Sequence, residues 1–430
     1  MRKNLSVSVV LALTVSALVA AAQLVSARTT ITMYDPRPNT KVGQIVDTLL
    51  AEFSAQNPDI YVDYVHVPGS YSGVREKTSV AIAGGAAPNV VILDQTHWFA
   101  FAYSGHLLPL DEFIAQDPTV SIDDYYPGIV DFLTWKGSVW GLPYIVSTPV
   151  IYYNPALFAT RGLDPVAPRV WDEYLTYGRR IAQDTDGDQV NDILMIQFYN
   201  DNWFFEAWLG QNGASVVNPE GTEYTFNSPA AVETFEFLQS LTQQARIAKV
   251  GTFNSIYADF WAGKLAITEQ STAALANNIE SAANNGMELG VAPLACQKQC
   301  FAPIGGGNLH IVNTGTAAEK EAAWRLVRFL QDPVNLARMG AATGYMAARR
   351  SSIETDVLQS HFASEPRAVI TYEQLAYASP RARIPNWSAI SGRLNQAILG
   401  FLNGNGEISS QLDELVRVGN ELVAEWYRQN

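Results

Sequence analysis

The sequence predicts an α/β protein of two lobes joined by crossing strands, with a ligand cleft between the lobes. Three observations carry this reading. Apolar runs of strand character alternate with segments of helical periodicity, which implies βαβ units and mostly parallel sheets. Two strand-like stretches are interrupted in the middle: Gly141 to Asn154, read GLPYIVSTPVIYYN, and Pro303 to Val312, read PIGGGNLHIV. The 430 residues suffice for two domains, yet there is no internal repeat, low-complexity tract or long linker. The lobes therefore interleave in sequence.

In chain order, Thr29 to Tyr34 reads as a first strand. Val42, Ile45, Val46, Leu49, Leu50 and Phe53 then recur at helical spacing until Asn57-Pro58. Ile60 to Val67 alternates as a second strand, a helix covers Gly73 to Ala83, and Asn89 to Leu93 is a short run buried on both faces. The interrupted stretch follows. Ser147-Thr148-Pro149 in its middle disfavours a central strand and suits a chain that leaves one sheet and enters another. That places Ser147 on a cleft floor. Helices at Trp171 to Ile181, Ala230 to Ala245 and Phe253 to Ala262 alternate with strands at Asp192 to Phe198 and Leu265 to Thr268. The second interrupted strand leads into a helix over Ala317 to Leu330, and the rest is mostly helical.

A formal charge of −14 argues against nucleic acid and anionic membrane surfaces as partners. Residues 1–27 read as an export segment: basic Arg2 and Lys3, an apolar run over Leu5 to Leu24, and a small-x-small site at Val25-Ser26-Ala27. The alternative is an uncleaved anchor helix. In an oxidising compartment the two cysteines, Cys296 and Cys300, are expected to pair; a metal is the alternative. Asp184, Asp186, Asp188 and Asp192, with the Val190 carbonyl, have the odd-position spacing of a structural calcium loop. Met195 stands where a full EF-hand has Glu, so a solvated acidic turn is the alternative. No GxSxG or HExxH motif is present, and the five histidines are scattered.

Taken together, AEFSAQNPDI, SGHLLPLDEFI, LPYIVSTPVIYYNPALF, DFWAGKLAITEQST, PIGGGNLHIV and TGYMAAR resemble, in order and spacing, the extracellular solute-binding proteins of ABC importers for sugars and glycerol phosphates. Within that family STPVIYYN, IGGGNL, TGYMAAR and the late RIPNW look most like the glycerol-3-phosphate-binding branch. The resemblance implies a periplasmic-binding-protein fold of the class II type. It implies ligand contacts at Tyr71, Ser147, Ser271 or Thr272, Gly306, Tyr345 and Arg383. The branch's acidic residue after the third strand falls on Asp94-Gln95, in register with Gln95, and Tyr199 and Trp203 stand in for its far-lobe tryptophans. Arg383, beside Arg381, offers a guanidinium fork for a phosphate; a surface ion pair is the alternative. Of the tryptophans, Trp203 and Trp387 are taken to face the cleft, and Trp208 and Trp261 to be core.

The expected lobes are 28–146 with 308–342, and 147–307 with 343–430. Arg383, Ser147, Ser271, Gly306 and Tyr345 would hold an anionic end of the ligand, and Tyr71, Asp94-Gln95 and the aromatics a polyol end. The resemblance implies an exported, monomeric binding protein without catalytic residues. It would capture glycerol-3-phosphate or a glycerophosphodiester and deliver it to a membrane permease. The alternatives are a neutral mono- or oligosaccharide binder of the same kind, and a secreted carbohydrate-active enzyme.

Overall fold

The computed structural model describes residues 28–37 and 40–429; the expected export segment lies outside the described residues. The first lobe is built on a five-stranded sheet. Its strands are β1 (Thr29–Asp35), β2 (Ile60–His66), β3 (Val90–Asp94), β4 (Leu142–Ser147) and a strand from much later in the chain, Gly305–Ile311. The spatial order is β2-β1-β3, then Gly305–Ile311, then β4. β1 pairs parallel with β2 and β3, while Gly305–Ile311 runs antiparallel to β3 and β4. The late strand points the other way because it returns from the second lobe. The helix Lys41–Gln56 turns Val42, Val46, Leu49, Leu50 and Phe53 inward, as its spacing dictates. With Ile31, Met33, Ile92, Leu309, Trp324 and Leu330 they form the first core. Each large apolar side chain buried there contributes roughly 1.5–3 kcal/mol.

The chain changes lobe at Thr148, which is fully buried. Beyond it, β5 (Pro149–Tyr153) is the middle strand of an antiparallel sheet, flanked by β6 (Ile267–Ser271) and β7 (Gly290–Ala292). The second core gathers Ile151, Phe158, Trp171, Trp208, Phe235, Ile390 and Leu394 around this lobe's helices. Trp387, expected at the cleft, belongs to this core. It is 4% exposed and stacks on Tyr224. Met346, Ala347, Ala348, Leu358 and Leu375 pack into the first core, although the sequence division at 343 assigns them to the second lobe.

Two crossings were expected, and the structure adds a third. Ala378–Ser379 pairs in parallel with Ala302–Pro303 just before the second crossing. Gln374, fully buried, ties the crossings together. Its Nε2 donates to Thr148 Oγ1 (2.7 Å) and the Pro149 carbonyl, and its Oε1 accepts from Leu294 N (2.8 Å). Gln374→Ala would strand these groups in the interior, so a loss of about 2 kcal/mol in urea unfolding is expected. An unchanged midpoint would mean that water replaces the amide without penalty. No helix among the described residues is long and apolar enough to cross a membrane. Cys296 and Cys300 are joined in a disulfide.

Candidate functional site

A cleft of about 230 Å³ lies at the carboxyl ends of β3 and β4 and the start of the returning strand Gly305–Ile311. Open α/β sheets present ligands at this edge. Tyr71, Asp94, Gln95, Ser147, Trp203, Ser271, Gly306 and Tyr345 all line it, together with Asp201, Gly305 and Arg381. These residues come from widely separated parts of the chain, and the crossing strands bring them together.

The floor follows from backbone geometry. Gly305 pairs with Ser147, and Gly306 with Val146. Gly306 has φ +99°, and a Cβ there would sit 1.8 Å from the Ile145 carbonyl oxygen, so the strand tolerates only glycine at this point. Trp203 lies across Gly305, where a Cβ would meet its ring at 2.6 Å; the indole Nε1 donates to the Pro303 carbonyl (3.2 Å). Asp201 positions this tryptophan by capping the helix Asn202–Gln211 through Trp203 N (2.9 Å). Ser271 ends β6, and its Oγ accepts from Ala273 N, leaving the hydroxyl proton free to donate. Thr272, the alternative to Ser271, is buried in the crossing: its N donates to the Thr148 carbonyl and its Oγ1 accepts from Thr148 N.

The first-lobe wall carries Tyr71, Tyr345, Asp94 and Gln95. Burial, reinforced by Tyr345, pushes the Tyr71 hydroxyl well above its ordinary value, while Arg37 pulls it back. Both phenols are therefore neutral hydrogen-bonding groups. The Asp94 carboxylate caps the turn after β3, accepting from Thr96 N (2.9 Å) and His97 N (3.0 Å), and His97 Nδ1 lies 2.8 Å from it. Burial opposes its charge, but His97 and Arg381 hold it below the usual carboxylate range. His97 Nε2 in turn meets Ser388 Oγ of the second lobe at 3.2 Å. Gln95 is 2% exposed, and its Oε1 is a buried acceptor without a partner.

Arg383 does not line the cleft; Arg381 does. Arg383 donates instead from Nη1 to the Thr134 carbonyl of the first lobe (2.5 Å). Arg381 and Arg383 alternate with the buried Ala382 and Ile384. Arg381 grips the buried Glu206 through Nε (2.9 Å) and Nη2 (2.6 Å), and Nη2 also reaches Asn202 Oδ1 (2.6 Å). Burial pushes the Glu206 carboxyl up against the pull of Arg381, with Asp201 and Asp94 adding to the rise. A second such pair, Arg37 with Asp35, is within electrostatic reach of Tyr71 and Tyr345. Two guanidiniums thus face four carboxylates: Asp35, Asp94, Asp201 and Glu206. Sequence reasoning missed Asp201, Gly305 and Arg381. Asp201 is legible as an N-cap before a Trp-containing helix, whereas Arg381 depends on Glu206, 175 residues away.

Two other expectations resolve separately. Asp184, Asp186 and Asp188 bring carboxylate oxygens within 4.8 Å of one another, but Asp192 is not in this group. Its Oδ2 accepts from Thr185 N (2.8 Å) and Thr185 Oγ1, and Val190 N donates to Asp188 Oδ1. The cluster of three is a candidate cation site. Tyr199 lines a separate groove with Phe253 rather than the cleft.

The sequence matches the bacterial extracellular solute-binding protein family over residues 48–365. The sn-glycerol-3-phosphate-binding periplasmic protein UgpB of Salmonella typhimurium is 26% identical over 401 residues, 89% of this chain and 90% of its own. The protein of the same name from Pectobacterium atrosepticum is 25% identical, with 89% of each chain covered. Among solved structures, UgpB from Mycobacterium tuberculosis in complex with glycerophosphocholine superimposes with a TM-score of 0.80 at 24% identity, covering 93% of this chain and 99% of that one. The GacH receptor of Streptomyces glaucescens, solved unliganded and with acarbose, gives 0.78 at 19% identity, covering 92% and 99%. The two-lobed architecture is that of these periplasmic binding proteins, and the chain belongs to the bacterial extracellular solute-binding protein family.

Proposed function

We propose that the protein is the substrate-capturing subunit of an ABC importer, and that its solute is a glycerophosphodiester. Residues 1–27 direct its export, and the permease partner takes the loaded, closed form. The protein binds its ligand without transforming it. The observation that carries the ligand reading is the charge arrangement of the cleft. Both guanidiniums are already paired with carboxylates, and Asp94 and Asp201 remain in surplus. A phosphomonoester brings a charge of about −1.5 to −2 into these surroundings, whereas a diester brings one negative charge and can carry a compensating cation. The relatives support the class: the similar UgpB proteins are named for sn-glycerol-3-phosphate, and one was crystallised with glycerophosphocholine. A neutral oligosaccharide is the second reading, favoured by the same paired guanidiniums and by Trp203, whose ring can stack on a sugar face.

Closure follows from where the contacts originate. Tyr71, Asp94 and Gln95 belong to one lobe, Asp201, Trp203 and Ser271 to the other, and Ser147 and Gly306 to the crossings. A ligand touching all three sets binds the closed form better and shifts the population towards it. The lobes also meet through His97 with Ser388 and Lys41 with Glu280 (3.0 Å). A thermal-shift panel tests the ligand class. At a hundredfold excess over Kd, glycerophosphocholine is expected to add about 2.7 kcal/mol of stability and raise Tm, with a smaller rise for glycerol-3-phosphate. A rise with maltose and none with either phosphate ester would reject the phosphodiester reading.

A further inference from the structure

The last helix, Ile408–Gln429, buries Ile408, Leu412, Val416, Gly419 and Val423, whose apolar side chains belong to the second core. These positions recur at steps of three and four and form one stripe. Trp426 and Tyr427, three and four residues beyond Val423, carry the stripe past the buried run. Tyr427 still packs on the edge of the second core. Both rings also reach the first lobe. The Tyr103 ring centroid lies 4.6 Å from that of Trp426 and 5.7 Å from that of Tyr427, at interplanar angles of 61° and 67°. Edge-on contacts at such separations are favourable.

The first-lobe half of this contact is built within that lobe. Tyr103 ends the helix Trp98–Tyr103 and packs on Trp135 (5.6 Å) and Phe99 (6.1 Å), at the margin of a cluster with Leu93 and Trp98. Trp135 stands in a hairpin, Thr134–Trp135 against Ser138–Val139. Its turn residues Lys136 and Gly137 have φ +52° and +79°, the left-handed pair of a type I′ turn. The turn holds Lys136 Nζ over the rings of Trp135 (4.6 Å) and Tyr103 (5.9 Å), where a cation is attracted to both.

Tyr103, Trp135, Trp426 and Tyr427 lie outside the crossing strands, so the aromatic contact parts when the lobes swing open. None of these rings lines the cleft. Two polar contacts bracket them: His97 with Ser388, and Arg383 with the Thr134 carbonyl. Asn386 Nδ2 donates to the Leu422 carbonyl (3.1 Å) and ties that second-lobe segment to the last helix. Each polar contact is one hydrogen bond, whereas the rings supply two aromatic pairs between the lobes.

We propose that Trp426 and Tyr427 latch the closed form by docking on Tyr103, and that they set solute affinity without touching the solute. They are positioning residues. A contact made only in the closed form raises that form's population, and the apparent Kd falls in proportion. The inference rests on the lobe closure proposed above and holds for whichever solute the cleft takes.

The test is a mutant cycle across the lobes. Glycerophosphocholine is titrated calorimetrically into the wild type, Tyr103→Ala, the pair Trp426→Ala with Tyr427→Ala, and the combination of all three. Cooperative urea unfolding checks that each variant folds; Trp426→Ala alone, which spares the core-packed Tyr427, replaces the pair if it does not. The change in either lobe is expected to weaken binding about fivefold or more. The combination should lie within about twofold of the weaker parent, because the same contact is lost each time. Tyr427→Phe keeps the ring and should stay within about twofold of wild type. Side chains that only brace their own lobes would give losses that multiply. Multiplying losses, or Ala variants that bind like the wild type, would overturn the latch and leave the phosphodiester reading standing. If glycerophosphocholine gives no heat with the wild type, that reading falls and the cycle is run with maltose. No heat from either solute would sink both.

Discussion

Arg381→Ala is expected to destabilise the fold by about 3–5 kcal/mol, because it leaves a buried carboxylate without its partner. The carboxylate is Glu206, 5% exposed and held by two guanidinium nitrogens at 2.6 and 2.9 Å. Binding of a phosphodiester should weaken at least about tenfold, equivalent to 1.4 kcal/mol, since Arg381 lines the cleft and its charge is lost there. Adding Glu206→Gln should restore most of the stability and part of the binding. Arg383→Ala, in contrast, removes one contact to the Thr134 carbonyl and should leave affinity within about twofold. Urea unfolding and calorimetry on the four proteins separate these cases. Equal loss of binding in Arg381→Ala and Arg383→Ala would return Arg383 to the site.

Glu269 should make stability fall with rising pH, the reverse of the behaviour of a salt-bridged carboxylate. It stands on β6 in the second core, with Oε1 accepting from Tyr174 Oη (2.8 Å) and Oε2 from Trp208 Nε1 (3.0 Å). Burial pushes its carboxyl up to about 7, and the two hydrogen bonds restrain the rise. The unfolded chain loses this proton near pH 4.5. Between those values the native state holds a proton that the unfolded state has released, so stability decreases as pH rises through the window and levels off above it. The total is on the order of 3 kcal/mol. Glu269→Gln can satisfy both neighbours without a charge, so it should flatten the profile between pH 5 and 7 and be the more stable protein at pH 8. Parallel profiles for the two proteins would show that Glu269 ionises freely in the native state.

What the sequence made legible depended on how local the determinant was. Ser147 and Gly306 stood out because a polar break and a glycine triplet in strand-like runs demand unusual backbone, and both lie on the cleft floor. The helix Lys41–Gln56 followed from its apolar spacing. The third crossing at Ala378–Ser379 is two residues long and carries no periodicity to read. The long helix expected over Ala230 to Ala245 is α-helical to Gln239 and continues as a π-helix over Ser240–Gln244, a change of pitch that the apolar spacing does not announce. Choosing between Arg381 and Arg383 required knowing where Glu206 and Thr134 lie, and that is tertiary information. Trp387 was misplaced for the same reason: its partner Tyr224 is far away in sequence. The acidic loop shows that spacing alone does not set side-chain direction, since Thr185 captures Asp192.

A 31P NMR titration of the mature protein with glycerophosphocholine tests the central claim most directly, because it reads binding and turnover together. The phosphodiester resonance should shift or broaden, saturate at one equivalent, and keep its full area over hours. An unperturbed resonance would contradict a phosphodiester site in this cleft. A new monoester resonance would contradict a binding protein and identify an enzyme.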